Sequence, residues 1–377
     1  MSRAWDERGG CISVFSPRPL PVLRGNGRGL RRVTLGSGVG GCGRSAMLAA
    51  LWAALRVYAV GVAVTMVQLL RRLRGGFRPP ELPLQTDRVA IVTGATRGVG
   101  LSTACQLARL GMRVIVAGND EHRGHEVVAR IQEESGPESA HFLFLDLASL
   151  SSVRSFVRDF EATALPLHLL INNAGVMLDP RGNTKDGFER HVGVNFLGHF
   201  LLTSLLLPAL RASGHQGRKS RVVTVCSSTH WVGQADVARL LGQSPAPCAL
   251  AAYAGSKLAL ALFSLRLQRL LSALGDPVTA NIVDPGVVDT ALFAHAGWGT
   301  RAVQRFLGWL LFKTPDEGAW TSVYAAASPK LEGVGGRYLR DEAEAEVLGA
   351  ARDLELQGHL WAESCRLTGA AWVAVGE

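Results

Sequence analysis

Tyr253 and Lys257, four residues apart in Tyr-Ala-Gly-Ser-Lys, are the pair whose types could do proton chemistry. At that spacing they share one helix face. A free phenol ionises near pH ~10 and is a poor base at neutral pH. An ammonium beside it favours the phenolate and lowers that value toward the working range. Taken alone the pair is ordinary, since Tyr and Lys meet this way on many helix surfaces. Upstream, Ser227-Ser228 close the run Val222-Val-Thr-Val-Cys226. Their hydroxyls could bond a substrate oxygen, although serine at a strand end is common. Asn195 lies in the long apolar stretch Val192 to Leu207, where an amide needs a hydrogen-bonding reason. It either bonds to backbone or marks a bend that holds a water in a proton path.

A second group of residues suits a nucleotide. Thr93-Gly94-Ala95-Thr96-Arg97-Gly98-Val99-Gly100 follows the apolar run Arg88 to Thr93 and opens an apolar-periodic segment, Leu101 to Leu110. That is strand, glycine turn, helix. The glycines allow the tight turn and let backbone N–H groups approach a pyrophosphate at the helix N-terminus. Asp146-Leu147 end a third strand, where the carboxylate could accept from an adenine amino group or cap the next helix. Asn172-Asn173-Ala174-Gly175 end a fourth and could support a cofactor backbone, or simply turn the chain. Pro285-Gly286-Val287-Val288-Asp289-Thr290 follows the sixth; it fits a turn setting backbone and a hydroxyl near a nicotinamide carboxamide, or a plain Pro-Gly turn.

These motifs need a scaffold, and the hydrophobic pattern supplies one. Strands are predicted at 88–93, 113–117, 141–145, 167–171, 221–226 and 278–283, with a short one at 336–339. Helices are predicted at 98–110, 121–134, 149–162, 189–211, 250–274, 300–311 and 315–327, and a tail helix at 342–364. Short apolar strands alternating with helices imply an α/β fold: a Rossmann-type, doubly wound parallel sheet of about seven strands, covered on both faces. Ligands in such folds bind past the carboxyl ends of the strands, at the switch point.

The chain of 377 residues divides by composition. Residues 1–46 are Arg/Gly-rich and expected to be disordered; 47–74 form a hydrophobic helix; 75–86 are a Gly/Pro linker; 87–340 are the α/β domain; 341–377 are a helical tail. Residues 1–80 hold 13 Arg, no Lys and 2 acids, so the net charge of +9 resides there and the folded part is about neutral. A nucleic-acid partner is therefore not expected. The six cysteines have no C-x-x-C pairs and no His at ligand spacing, so neither a metal site nor a disulfide framework is expected. Met47 to Leu70 is long and apolar enough to cross a hydrocarbon core. No basic n-region precedes it from Met47, and Arg71-Arg72-Leu73-Arg74 follows it. That order favours a membrane or lipid-surface anchor with the catalytic domain facing the cytosol. A cleaved signal peptide of a secreted protein, or a buried helix, are the alternatives.

Together, the ordered motifs resemble the short-chain dehydrogenase/reductase family over about 85–340, through Thr93-Gly94…Gly98…Gly100, Asn172-Asn173-Ala174-Gly175, Asn195, Ser228, Tyr253…Lys257 and Pro285-Gly286…Thr290. The resemblance implies that Tyr253 is the general acid/base, that Lys257 also bonds the nicotinamide ribose, that Ser228 orients the reacting oxygen and that Asn195 holds the relay water. Ser228 is preferred to Ser227 because Ser-Ser-x-His is similar to the retinol-dehydrogenase-like branch. Leu55-Arg-Val-Tyr-Ala-Val-Gly61, Arg71-Arg72…Arg74-Gly-Gly-Phe77 and Lys313-Thr-Pro-Asp-Glu-Gly-Ala-Trp-Thr-Ser322 narrow the resemblance to a group acting on long isoprenoids. This implies oxidation of polyprenol to polyprenal and reduction of dolichal to dolichol, feeding protein glycosylation, at an endoplasmic reticulum membrane or a lipid droplet. Retinoid or steroid alcohols, or a non-catalytic scaffold on the same fold, are the competing functions. Signals for the cofactor conflict. Asn119 stands where many NADP-preferring relatives carry Arg, and Asp120 could receive a ribose 2′-hydroxyl, whereas Arg97 could pair with a 2′-phosphate. Use of both NAD and NADP is the expectation. A homodimer through the helices at 189–211 and 250–274 is one implied assembly, an anchored monomer the other.

Overall fold

The computed structural model describes residues 40–179, 182–290, 308 and 310–371. The chain divides into two compact units, Met1–Cys42 and Gly43–Glu377, and the architecture below is that of the second, apart from the first three residues of its leading helix. Its strands are β1 (Val89–Thr93), β2 (Arg113–Gly118), β3 (Ala140–Phe144), β4 (Leu169–Asn172), β5 (Ser220–Val225), β6 (Val278–Asp284), β7 (Tyr338–Arg340) and β8 (Ala343–Ala345). They form one sheet in the order β3-β2-β1-β4-β5-β6-β7-β8. All pairs are parallel except the last. Every residue of β1, β5 and β6 is buried, as strands covered on both faces must be.

The helices are α1 (Gly40–Leu73), α2 (Gly98–Arg109), α3 (Glu121–Ser135), α4 (Leu150–Ala162), α5 (Gly198–Ser213), α6 (Val237–Leu240), α7 (Ala249–Ala273), α8 (Pro315–Ala327) and α9 (Leu354–Thr368). One core layer holds Phe156 and Phe160 of α4, Phe200 of α5, Phe263 of α7 and Trp361 of α9. The other holds Leu107 of α2, Ile131 of α3 and Ala325 of α8. The sheet order reverses at β1, between β2 and β4, which opens the crevice at their carboxyl ends.

Three elements differ from the sequence pattern. The stretch predicted as one helix from 189 contains a π-helical turn, Val192–Leu197, before α5 begins. The tail predicted as a helix over 342–364 starts instead as β8, so the sheet has eight strands, and its helix is displaced to Leu354–Thr368. The β7–β8 turn is made by Asp341 and Glu342 at φ 53° and 60°. Tight hairpins usually place Asn or Gly at such angles, so this turn carries no sequence signal. Its strain is held by side chains: Asp341 pairs with Lys313 and Arg71, and Glu342 accepts from Thr321. The helix predicted at 300–311 lies outside the described residues apart from Gly308, Leu310 and Leu311, which are helical.

Met47–Leu73, Val192–Ser213 and Ala249–Ala273 are all long and apolar enough to cross a membrane. The last two are mostly buried in the fold and are core helices; Met47–Leu73, with mean hydropathy 1.9, is mostly exposed. α1 nevertheless docks. Val57 packs with Leu250 and Ala254, and Ala54 joins them. Thr65, Gln68 and Arg72 continue the same stripe, at helical spacing, toward the domain. The helix starts at Gly40 rather than at Met47.

Candidate active site

The carboxyl ends of β1, β4, β5 and β6 open onto one cavity of about 1110 Å³. The glycine turn after β1 forms one side. Gly94 and Gly98 have φ 65° and 57°, and a Cβ on Gly100 would lie 2.3 Å from the Gly94 carbonyl oxygen and 2.4 Å from Asn173 Nδ2. Only glycine fits there. Arg97 stands at the N-cap of α2 but supplies no side-chain cap, so the helix N-terminus is left to an anion from the cleft. These features fit a dinucleotide pyrophosphate. Asn173 closes the turn from β4, its Nδ2 donating to the Thr93 carbonyl at 2.7 Å. All the residues anticipated for a cofactor line the same cavity: Gly94, Thr96, Arg97, Gly98, Val99, Gly100, Asn119, Asp120, Asp146, Leu147, Asn173, Ala174, Gly175, Tyr253, Lys257, Pro285, Gly286, Val288 and Thr290. Asp120 also caps α3, accepting from Arg123 N at 3.1 Å, and Asp146 accepts from Ala148 N at 3.0 Å and Lys185 Nζ at 3.1 Å.

Beneath the turn, Thr93 organises a buried network. Its Oγ1 accepts from Asn173 N at 2.9 Å and Ala174 N at 3.0 Å, and it meets His199 Nε2 at 2.9 Å. His199 Nδ1 faces the Asn195 carbonyl oxygen, which can only accept, at 2.9 Å. The bonds therefore assign the hydrogen to Nδ1 and leave Nε2 to accept from Thr93. Burial holds His199 down to about 4, so the ring is neutral.

Tyr253 and Lys257 face the cavity from α7, as their spacing predicts. Lys257 Nζ donates to the Val225 carbonyl at 2.9 Å and lies 5.8 Å from the centre of the Tyr253 ring. Burial lowers the Lys257 pKa. The phenol is not acidic in this state: burial pushes it well up, and hydrogen bonding to Ser227 offsets only part of that. At neutral pH Tyr253 is a neutral phenol, the form that donates a proton.

Two residues expected at the reacting centre are placed outside the cavity. Ser228 does not line the cavity; its hydroxyl donates to Asp284, which also accepts from the Tyr338 hydroxyl at 2.8 Å. Ser227 lines the cavity beside Tyr253. Its Oγ accepts from Thr229 N at 3.3 Å, leaving its own hydrogen to donate. The backbone at Ser227 is fixed by His230, whose Nδ1 bonds the Ser227 carbonyl at 2.8 Å while Nε2 accepts from Leu348 N at 3.1 Å. Asn195 does not reach the cavity either. Its Oδ1 accepts from Val176 N at 2.8 Å and its Nδ2 donates to Val176 O and Ser256 Oγ at 3.0 and 2.9 Å, so it braces the Gly175-Val176 floor. The π-helical turn presents the amide this way; such turns recur at functional sites.

The outer wall was not anticipated from sequence. Val57, Tyr58, Gly61, Val62, Thr65 and Met66 of α1 line the same cavity as the glycine turn and Tyr253. Most of the segment is apolar on every side, and only Thr65 and Gln68, at helical spacing, mark the face that does so.

The profile of the family described as short chain dehydrogenase matches residues 88–298. The chain is 72% identical over 323 residues to polyprenol dehydrogenase from Mus musculus, covering 86% of this chain and 96% of that one. It is 39% identical over 321 residues to retinol dehydrogenase 13 from Mus musculus, covering 84% and 94%. A solved structure of an uncharacterised protein from Mycobacterium Paratuberculosis superposes with a TM-score of 0.61 at 33% identity, covering 78% of this chain and 97% of that one.

Proposed function

Because the chain belongs to the short-chain dehydrogenase family and is an NAD(P)-dependent oxidoreductase, we propose that it interconverts long-chain isoprenoid alcohols and their aldehydes. Polyprenol would be oxidised to polyprenal, and dolichal reduced to dolichol, in the synthesis of dolichol for protein glycosylation. The observation that carries this reading is the placement of Tyr253, with Ser227 and Lys257, in a cavity whose outer wall is the apolar helix α1. Apolar pockets bury the body of a ligand, and a few polar groups fix its reacting end.

The residues divide the work. The nicotinamide, when bound, gives or takes the hydride. The α2 N-terminus and the glycine turn would hold the pyrophosphate, and Asn119, Asp120 and Arg97 would meet the adenosine ribose. Tyr253 gives its phenol proton to the aldehyde oxygen on reduction and takes one from the alcohol on oxidation. The Ser227 hydroxyl holds that oxygen in line. Lys257 supplies the positive charge that favours the phenolate when oxidation calls for it, and would bond the ribose of a bound cofactor. Holding these groups in place before reaction is what the protein contributes.

The bare apolar face of α1 supports residence at a lipid surface, the endoplasmic reticulum membrane or a lipid droplet, with the domain on the cytosolic side behind Arg71, Arg72 and Arg74. A substrate that never leaves the lipid could then enter along this helix. A retinoid substrate is the second reading, supported by the 39% identity to a retinol dehydrogenase. The test is turnover by the purified full chain of polyprenal, dolichal, retinal and a ketosteroid with NADPH, and of polyprenol with NAD. Preference for the isoprenoids supports the proposal; preference for retinal replaces it, and no consumption of any of them overturns it.

A further inference from the structure

The apolar helix α1 carries one glutamine, Gln68, and it is 3% exposed. A fully buried amide on a membrane-type helix must be paired or it destabilises the fold. Gln68 is paired with a single residue of the catalytic domain. Its Oε1 accepts from Val287 N at 2.8 Å, and its Nε2 donates to Val287 O at 3.0 Å. Both polar groups of one peptide position are thus held by one side chain. Val287 lies in the turn after β6, between Gly286 and Val288, and all three line the cavity.

The rest of that turn is held from the other side. Gly286 N donates to Asp284 Oδ1 at 2.9 Å. Lys313 N donates to the Val287 carbonyl at 2.9 Å, and Asp289 N donates to the Lys313 carbonyl at 2.9 Å. Gly286, at φ 80°, leaves room for the clamp: a Cβ there would lie 2.9 Å from Gln68 Oε1. The end of α1 is fastened to the same region. Arg71 bonds Asp341 at 2.9 Å, Asp341 takes the buried Lys313, and Arg72 pairs with Glu317 at 2.7 Å and donates to the Phe312 carbonyl at 3.2 Å. The Phe77 ring sits under Arg71, Arg72 and Lys313.

We infer that Gln68 is a positioning residue for the nicotinamide-facing turn, so that docking of the lipid-seeking helix α1 sets cofactor affinity as well as location. The inference rests on the cofactor placement proposed above. Without the clamp, Val287 N–H loses its acceptor and the turn loses its side-chain amide tie to α1. The helix is therefore part of the enzyme, and a domain cut away from it would lack one wall of its own site.

The test uses the full chain in detergent or in vesicles. Gln68→Met keeps the side-chain length and packing and removes both hydrogen bonds. NADPH and NADH dissociation constants are read by fluorescence, apart from turnover, with thermal unfolding as a control for folding. The expected result is about tenfold weaker binding of either cofactor, the equivalent of one buried hydrogen bond. The KM for the lipid substrate should not change. Equal affinity of Gln68→Met and wild type overturns the inference, whereas failure of wild type itself to bind cofactor overturns the functional reading beneath it. Hydrogen exchange at Val287 in the wild-type protein gives an answer that does not depend on a variant folding. Protection there close to that of β6 is expected, and free exchange overturns the clamp.

Discussion

The Ser227 hydroxyl lies in the cavity with the phenol of Tyr253 and draws its pKa down against the effect of burial, while the adjacent Ser228 gives its hydroxyl to Asp284. Two neighbouring serines thus have separate tasks. Ser227→Ala removes a donor aimed at the reacting oxygen, and kcat should fall by roughly 10²- to 10³-fold with little change in unfolding temperature. Ser228→Ala takes a hydroxyl from a buried carboxylate, and should cost about 1–3 kcal/mol of stability with most activity kept. Steady-state kinetics and thermal unfolding of both variants decide the matter; the opposite pattern would return the role to Ser228.

Tyr253→Phe keeps the ring and removes the proton. It should lower kcat by about 10²- to 10⁴-fold while cofactor still binds. Burial keeps the phenol protonated at neutral pH. Aldehyde reduction, which uses the phenol, should therefore hold up at neutral pH and fall only in alkali, whereas alcohol oxidation should rise with pH. Lys257→Met removes the nearby cation, so both limbs should move to higher pH. Unmoved pH–rate limbs in that variant would dismiss Lys257 as the electrostatic partner.

Arg97 is exposed at the cleft, beside the α2 N-terminus, whereas Asp120 is engaged by Arg123 through its backbone N–H at 3.1 Å and its Nε at 3.4 Å. A guanidinium free to meet a 2′-phosphate should favour NADP. Arg97→Ala should weaken NADPH binding by roughly tenfold to a hundredfold, a charge-assisted bond's worth. NADH binding should barely change. Equal losses for the two cofactors, measured as dissociation constants, would show that Arg97 does not read the phosphate.

His199 resists protonation until about pH 4, against an ordinary value of 6.5. Above pH 6.5 neither folded nor unfolded chain carries that proton, and the group is silent. As pH falls below 6.5 the unfolded chain takes the proton first, so stability is lost down to about pH 4. Between pH 6.5 and 5 the loss should be about 2 kcal/mol. Gln at this position offers a donor and an acceptor without a titration, so His199→Gln should show a shallower loss by that amount. Denaturant unfolding of both proteins at pH 7 and pH 5 measures the difference, and equal slopes would remove His199 as the source.

What the residue order determines by itself is local. The strand–glycine turn–helix at Thr93 to Gly100, the six apolar strands of the parallel sheet and the helix face shared by Tyr253 and Lys257 are legible. Burial on both faces demands continuous apolar runs, a tight turn demands glycine, and helical geometry brings positions four apart together. The short strand predicted at 336–339 is β7, and the residues expected on the cofactor side share one cavity because strand ends deliver them to one crevice. Tertiary structure alone decided three things. Which serine meets the phenol depends on how the chain leaves β5, and adjacent residues there point apart. The β7–β8 hairpin depends on ion pairs that hold Asp341 and Glu342 in a strained turn. The face of α1 that becomes a wall of the site depends on what docks against it, since apolar residues run all round most of the helix and the few polar ones, Thr65, Gln68 and Arg72, gain meaning only from their partners.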